Sequence, residues 1–279
     1  MSRMLSDVQA LADEIGPRGT GTAGEAAAAG FVAGRLAALG LQPEQESFRA
    51  VASQNAFPLS IDLVALFAVS VYALGGTAGR WIAAVLALST APLLWQAIRT
   101  SNSPLRPVLP QVTSRNVIAR VKPRRGIRRR VVLLAHVDTN RCRIAWQSSA
   151  VRFVEPLTLL TLVMLAALGL LYLAGALLGG PAWVWWASLL PLVYILGTVA
   201  TLWKDERTPY TPGAHDNAAS VAVALEVGAR LAVQPLDHTQ VWLAFTGAEE
   251  TDHAGLYALL RGHDATLRDA AFVGLEGLG

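Results

Sequence analysis

The chain has 279 residues, of which 53% are apolar and only 15% charged, with 23 lysines and arginines against 20 acids for a net charge of +3. Soluble domains usually carry about 25% charge, so this composition excludes an ordinary soluble domain over the whole length and requires the missing charge to be concentrated somewhere. The single cysteine, Cys142, excludes an intramolecular disulfide framework and fits a reducing compartment.

From the N-terminus, residues 1–14 contain acids and no continuous apolar core, so no cleavable signal peptide is expected. Leu5 to Leu41 has apolar residues at helical spacing (Leu5, Val8, Leu11 and Ile15, then Ala27, Phe31, Leu36 and Leu39), interrupted by a turn over Gly16–Thr22. Gly40 closes the second helix, and Leu41 to Ala50 reads as the start of a strand. Two almost uncharged stretches follow, Phe57–Gly75 and Trp81–Ile98, separated by the glycine-rich tip Gly75–Arg80. A second pair, Pro156–Leu178 and Trp183–Trp203, is joined by Gly179-Gly180-Pro181. Each is of the roughly 17–25 residues that cross a bilayer core. Tryptophans 81, 183, 185, 186 and 203 sit at their ends, where interfacial anchors are found. Buried helices of a soluble protein would need a far larger body to cover them. Asp62 is the one acid inside a span, to be placed near an interface or in the bundle interior. A transporter would show polar or broken midplane segments; Asp62 and Pro92 are the only hints of one.

Two hairpins leave three polar segments on one side of the membrane, free to fold together. Lysine and arginine flank the spans on that side (Arg99, Arg106, Arg141, Arg143, Arg152, Lys204, Arg207), against Arg80 on the other, so the polar domain is expected to be cytoplasmic. Within it, Asn116–Val121, Val131–Ala135, Val241–Phe245 and Ala271–Leu275 read as strands. Ala218–Val233 and Gly255–Arg261 read as helices, which gives an α/β sheet covered on both faces. The basic run Lys122, Arg124, Arg125, Arg128, Arg129 and Arg130 has no aromatic platform beside it. It reads as a basic turn before a strand, facing a membrane surface or solvent, and no nucleic acid is expected as a partner.

Four short segments at strand ends carry chemistry, where open α/β sheets place their sites. Val131–Ala135 delivers His136 and Asp138 onto one side, suited to a metal-ligating imidazole held by an outer carboxylate. Asp216, in Ala214-His215-Asp216-Asn217, opens a helix and is either its cap or a ligand. Glu249 and Glu250 follow the third strand; adjacent carboxylates face different ways, so one can bind metal while the other acts as base. Glu276 ends the last strand.

In this order and on these strand ends, the four segments resemble the co-catalytic di-zinc aminopeptidases (bacterial leucyl aminopeptidase, aminopeptidase Y), whose wider relatives include glutamate carboxypeptidase II and transferrin-receptor-like domains. Ile15–Gly21 followed by a helix, then Leu39-Gly40-Leu41, also looks like that family's opening, so the resemblance spans all three polar segments. It implies a zinc-exopeptidase-like mixed sheet flanked by helices and interrupted by two transmembrane hairpins. The peptidase domain would comprise residues 1–56, 99–155 (with the first metal-ligand segment) and 204–279, with hairpins at 57–98 and 156–203. The implied cofactor is zinc, two ions per active site. His136 would bind the first and Asp138 would orient that ring; Asp216 would bridge the pair, Glu250 would bind the second ion and Glu276 would complete the first. Glu249 would be the general base, taking a proton from the attacking water and later protonating the leaving amine.

The implied activity is zinc-dependent hydrolysis of peptide bonds, as an aminopeptidase, by an integral protein of a bacterial inner or plasma membrane. The expected partners are a peptide substrate and the lipid bilayer; oligomeric state is unknown. The alternative is a catalytically incomplete or inactive membrane protein that uses the fold as an interaction module. Two departures from the family pattern stand out. Glu276 replaces the Asp often found there, and the last ligand, a downstream histidine, is not reached before Gly279, so a truncated sequence is expected. His215, His238, His253 and His263 read as ordinary polar or surface histidines, with His215 and His253 merely close to the site.

Overall fold

Apolar side chains at period two in the polar segments and unbroken apolar runs between them produce two kinds of element. The computed structural model describes residues 3–99 and 103–278. Met1, Ser2, Thr100, Ser101, Asn102 and Gly279, which fall in the expected polar segments, lie outside the described residues. In chain order the elements are α1 (Arg3–Gln9, continued by a helical turn Ala10–Ile15), α2 (Ala23–Ala38), β1 (Glu44–Val51), α3 (Ala56–Leu74), α4 (Gly76–Arg99), β2 (Gln111–Val121), β3 (Arg129–His136), α5 (Val154–Leu177), α6 (Ala182–Asp205), α7 (Ala219–Val233), β4 (Thr239–Thr246), α8 (Ala254–Leu267) and β5 (Ala271–Gly274). Contacts divide them into two units: Met1–Gln54, Pro110–Arg141 and Pro209–Gly279 form one, Asn55–Leu109 and Cys142–Thr208 the other.

The first unit is built on a five-stranded mixed sheet of order β1-β2-β4-β3-β5. β2 runs antiparallel to β1 and β4, while β3 lies parallel to both β4 and β5. Alternation within the central strands sends side chains to two cores. Val117, Ala119 and Val121 of β2 and Val241, Leu243 and Phe245 of β4 join Ala28, Val32 and Leu36 of α2 and Val221 and Leu225 of α7 on one face. Ile118, Trp242 and Ala244 meet Leu259 and Leu267 of α8 on the other. Helix α2 forms where expected: Thr22 accepts the Glu25 amide at 3.3 Å as N-cap. The strands extend beyond their apolar centres, β2 beginning at Gln111 rather than Asn116, because pairing with β1 continues from Asn116 to Gln111 through residues of mixed polarity.

Among the described residues, the second unit contains four helices that are long and apolar enough to cross a membrane. Their outward positions carry large apolar side chains, among them Phe67, Val85, Leu190 and Trp186. The expected six-residue tip of the first hairpin is shorter than that. Gly75 alone lies between α3 and α4, and Gly79 donates to its carbonyl, so Gly76–Arg80 is already helical. Asp62 lies in the bundle interior, where Thr198 of α6 donates to its carboxylate at 2.7 Å. Stacked rings of Tyr72 and Tyr172, 4.3 Å apart, pack nearby elements α3 and α5.

One buried cation holds the sheet unit's loops together. Arg18, 1% exposed, follows the N-terminal helical turn. Its Nε donates to Val137 O, its Nη1 to Leu11, Gly16 and Pro212 carbonyls, and its Nη2 to Gly213 O, at 2.7–3.0 Å. Its amide and carbonyl pair with Thr139. Burial lowers its pKa to about 10, against the raising effect of the Asp138 and Asp216 charges, so it stays cationic near neutral pH. Arg18→Met would remove a donor from five carbonyls at once, of which Leu11 O keeps the Gly16 amide and Gly213 O the Ala218 amide; buried orphans cost about 1–3 kcal/mol each before relaxation. We expect at least about 3 kcal/mol of destabilisation, read as a large drop in Tm in detergent. Arg18→Lys should recover only part of it, since an ammonium has three donors rather than a planar fork of five.

Candidate metal centre

The site is assembled at the C-terminal ends of β3 and β4, beside the loop that precedes α7. β3 ends on His136, which is buried, and the chain then turns so that Val137 N donates to Thr246 O of β4 and Thr139 N to Arg18 O. β4 ends at Thr246 and releases the loop that carries Glu249 and Glu250. The third strand of chain comes in at Gly213, whose left-handed backbone (φ +61°) and lack of a side chain are both needed: a Cβ there would lie 2.2 Å from Thr139 Cγ2. The Asp216–Asn217 peptide bond that follows is cis.

His136, Asp216 and Glu250 converge, one ligand atom of each lying within 4.8 Å of the others. His136 Nε2 is 3.1 Å from Asp216 Oδ1. Burial disfavours charge on the imidazole, but hydrogen bonds to Asp138 and Asp216 and the charges of Asp138 and Glu250 outweigh it and hold its pKa well above the ordinary value. The same contact to His136, opposed by burial, draws the Asp216 carboxyl below its usual range. Asn140 donates to Glu250 Oε2 at 2.8 Å. One imidazole and two carboxylates this close form the nitrogen and oxygen donor set that zinc takes, so the residues present fit the metal.

Asp138, fully buried, holds the site in an unexpected manner. His136 Nδ1 is 3.1 Å from the Asp138 backbone carbonyl and 3.6 Å from its carboxylate. The carboxylate instead accepts the amides of Glu249 and Glu250, each at 3.0 Å, and the Thr20 hydroxyl at 3.2 Å. It therefore fixes the backbone of the acidic loop as well as neighbouring the ring.

Glu249 is half-buried beside this cluster. Its Oε1 lies 2.6 Å from His253 Nδ1, while its Oε2 is buried without a hydrogen-bond partner among the described residues. His253, read from sequence as a surface histidine, is thus tied to the adjacent carboxylate. That hydrogen bond, opposed by burial and aided by the charges of Glu249, Asp252 and Glu276, raises its pKa. The i, i+4 relation of the two residues was the available signal, although left-handed backbone at Asp252 and His253 breaks the helical spacing. Glu276 lies two residues past the Leu134–Gly274 pair, as His136 does on the neighbouring strand; it is exposed and stands outside the three-residue cluster. Asn217 ties that end of the chain to the Asp216 loop, donating to Leu275 O at 3.0 Å. His215 is exposed, and His263 and His238 are engaged elsewhere, with Glu46 and the Gly126 carbonyl.

The five-stranded mixed sheet flanked by helices has a zinc-exopeptidase-like fold, with the histidine–carboxylate cluster at its strand ends. Residues 199–279, which include Asp216, Glu249, Glu250 and Glu276, match the model of peptidase family M28. Among solved structures, a leucine aminopeptidase precursor from Bacteroides thetaiotaomicron is similar at 15% identity and TM-score 0.50, over 100% of this chain and 62% of its own. An aminopeptidase from Aneurinibacillus sp. strain AM-1 is similar at 13% identity and TM-score 0.52, over 99% of this chain and 70% of its own. A glutaminyl cyclase from Bacteroides thetaiotaomicron is similar at 16% identity and TM-score 0.43, over 89% and 46%. The chain thus spans less than two thirds of the length of the first two Bacteroides proteins it matches in structure. No curated protein matches it. The resemblance to zinc peptidases is borne out over residues 199–279 by the family match, and the fold by the two aminopeptidases.

Because Asp138 anchors two successive amides of the acidic loop, Asp138→Asn should weaken zinc binding by about 10–100-fold, the usual cost of losing a partner that orients ligands. A zinc titration of the purified protein against the wild type measures it.

Proposed function

We propose that this chain is part of a membrane-anchored, zinc-dependent aminopeptidase. The observation that carries the reading is the convergence of His136, Asp216 and Glu250 beside a carboxylate, Glu249, that has one buried oxygen unpartnered among the described residues. His136, Asp216 and Glu250 would hold zinc, and Glu276 would be a further oxygen donor. Bound zinc would polarise the scissile carbonyl and ease deprotonation of water.

The chain's own residues supply the rest. Glu249 Oε2 takes a proton from the attacking water as its oxygen bonds to the carbonyl carbon. The same proton passes to the leaving nitrogen as the C–N bond breaks. His253 holds the other oxygen, Oε1, and so keeps Oε2 facing the reacting atoms. Asp138 keeps the loop backbone in place. The substrate is a peptide with a free N-terminus, and the four apolar helices seat the protein in a lipid bilayer with the sheet unit in the cytoplasm.

The test is zinc content and peptidase activity of the protein purified in detergent, with two variants. Asp216→Ala should lose zinc. Glu249→Gln should keep it while kcat falls about 10²–10⁴-fold, the range for loss of a general base. Wild-type protein free of zinc would sink the metallopeptidase reading. Zinc without turnover of any peptide would favour the interaction-module alternative instead.

The cytoplasmic placement rests on the arginines and lysines that flank the helices, and a C-terminal reporter decides it. An enzyme reporter active only outside the inner membrane should be silent in this fusion, and a signal from it would reverse the orientation.

A further inference from the structure

Glu25 occupies the third position of α2, where an acidic side chain ordinarily reaches back to the helix start and stays in solvent. Here it is 2% exposed. One oxygen does the local work, accepting the Gly21 amide at 2.7 Å. The other leaves the helix altogether: Oε1 accepts the Ser114 hydroxyl of β2 at 2.7 Å and the Ala248 amide at 2.9 Å. Capping needs only the first of these. Burial, with the nearby Asp138 charge, pushes its pKa up to about 7, an unfavourable setting that a helix cap alone does not require.

The partner amide locates the consequence. Ala248, Glu249 and Glu250 donate three successive amides to two buried carboxylates, the first to Glu25 and the next two to Asp138. Ala248 is itself buried with left-handed backbone (φ +51°), a conformation that costs a non-glycine residue energy and needs external support. Gly247 before it has no room for a side chain, because a Cβ would lie 2.4 Å from Ser114 Oγ and 2.7 Å from Glu25 Oε1. Thr251 closes the same loop, its hydroxyl lying 3.3 Å from that of Thr20.

We propose that Glu25 is a positioning residue for Glu249 and Glu250, clamping the first amide of their loop so that Asp138 can take the next two. The clamp is a claim about structure; its consequence for zinc rests on the metallopeptidase reading above. Amide hydrogen exchange of the segment Gly247–Thr251 tests the clamp directly, with β3 and β4 amides as internal reference. Glu25→Ala should accelerate that segment by about tenfold or more, the loss of one hydrogen bond to a charged acceptor, and leave the strands unchanged. Glu25→Asp keeps the charge and the capacity to cap α2 but is one methylene too short. It should accelerate the same segment, and it carries the test if the alanine variant fails to fold. Both folded variants should also bind zinc about 10–100-fold more weakly. Unchanged exchange at Gly247–Thr251 in a folded variant, or acceleration shared equally with the strands, overturns the proposal. Wild-type protein that binds no zinc would remove the metal reading while the exchange data still decide the role of Glu25.

Discussion

The sheet unit depends on a cation placed where no anion pairs with it directly. Arg18 reaches the carbonyls of Leu11, Gly16, Val137, Pro212 and Gly213, so one guanidinium joins the N-terminal helical turn, the exit of β3 and the loop before α7. Those last two segments carry His136 and Asp216. A buried charge is costly unless its donors are satisfied, and five carbonyls satisfy these. The Asp138 and Asp216 charges also favour the cation. Arg18 lies 119 residues from Val137 and 195 from Gly213 in sequence, and the mutual position of those two segments sets the distance between two of the three converging ligand side chains.

On the other side of the site the chemistry is inverted, with buried carboxylates holding backbone amides. Asp138 and Glu25 between them accept Ala248, Glu249 and Glu250. Burial first, and then the Asp138 charge, pushes the Glu25 carboxyl up to about 7. The Ser114 hydroxyl and the Gly21 and Ala248 amides oppose part of that rise by favouring the charged form. A loop whose backbone is held this way can present two adjacent acidic side chains in different directions, Glu250 toward His136 and Asp216, Glu249 toward His253.

Both apolar hairpins enter the chain at points where the sheet unit closes on itself. Val51 pairs with Gln111 on either side of the first, and Ala52 N donates to Pro110 O. Arg141 pairs with Tyr210 on either side of the second, and Thr211 N donates to Asn140 O. An insertion whose ends are already adjacent adds little closure entropy to the fold that hosts it. The sheet can therefore assemble from three segments separated by long apolar excursions.

How much was legible in the sequence follows from the range of each signal. Apolar runs and period-two alternation are local, so all four long helices and the β-strands through β5 could be read with errors only at their ends. β2 was read short because its outer residues are held by β1 rather than by their own apolarity. The site residues His136, Asp216 and Glu250 stood out as motifs at strand ends, and the structure brings those three together. What sequence could not disclose was who holds them. Arg18 is one arginine in an opening motif, Glu25 an acid in the first turn of a helix, His253 a histidine read as merely close to the site. Their roles depend on contacts with Pro212, Ala248 and Glu249, in two cases across roughly two hundred residues of chain. The sequence by itself determined the elements, the apolar spans and the identity of the chemical groups, because these depend on neighbours a few residues away. Only the tertiary structure decided which buried charges position those groups, because a hydrogen bond is set by distance in space and the chain gives no local trace of it.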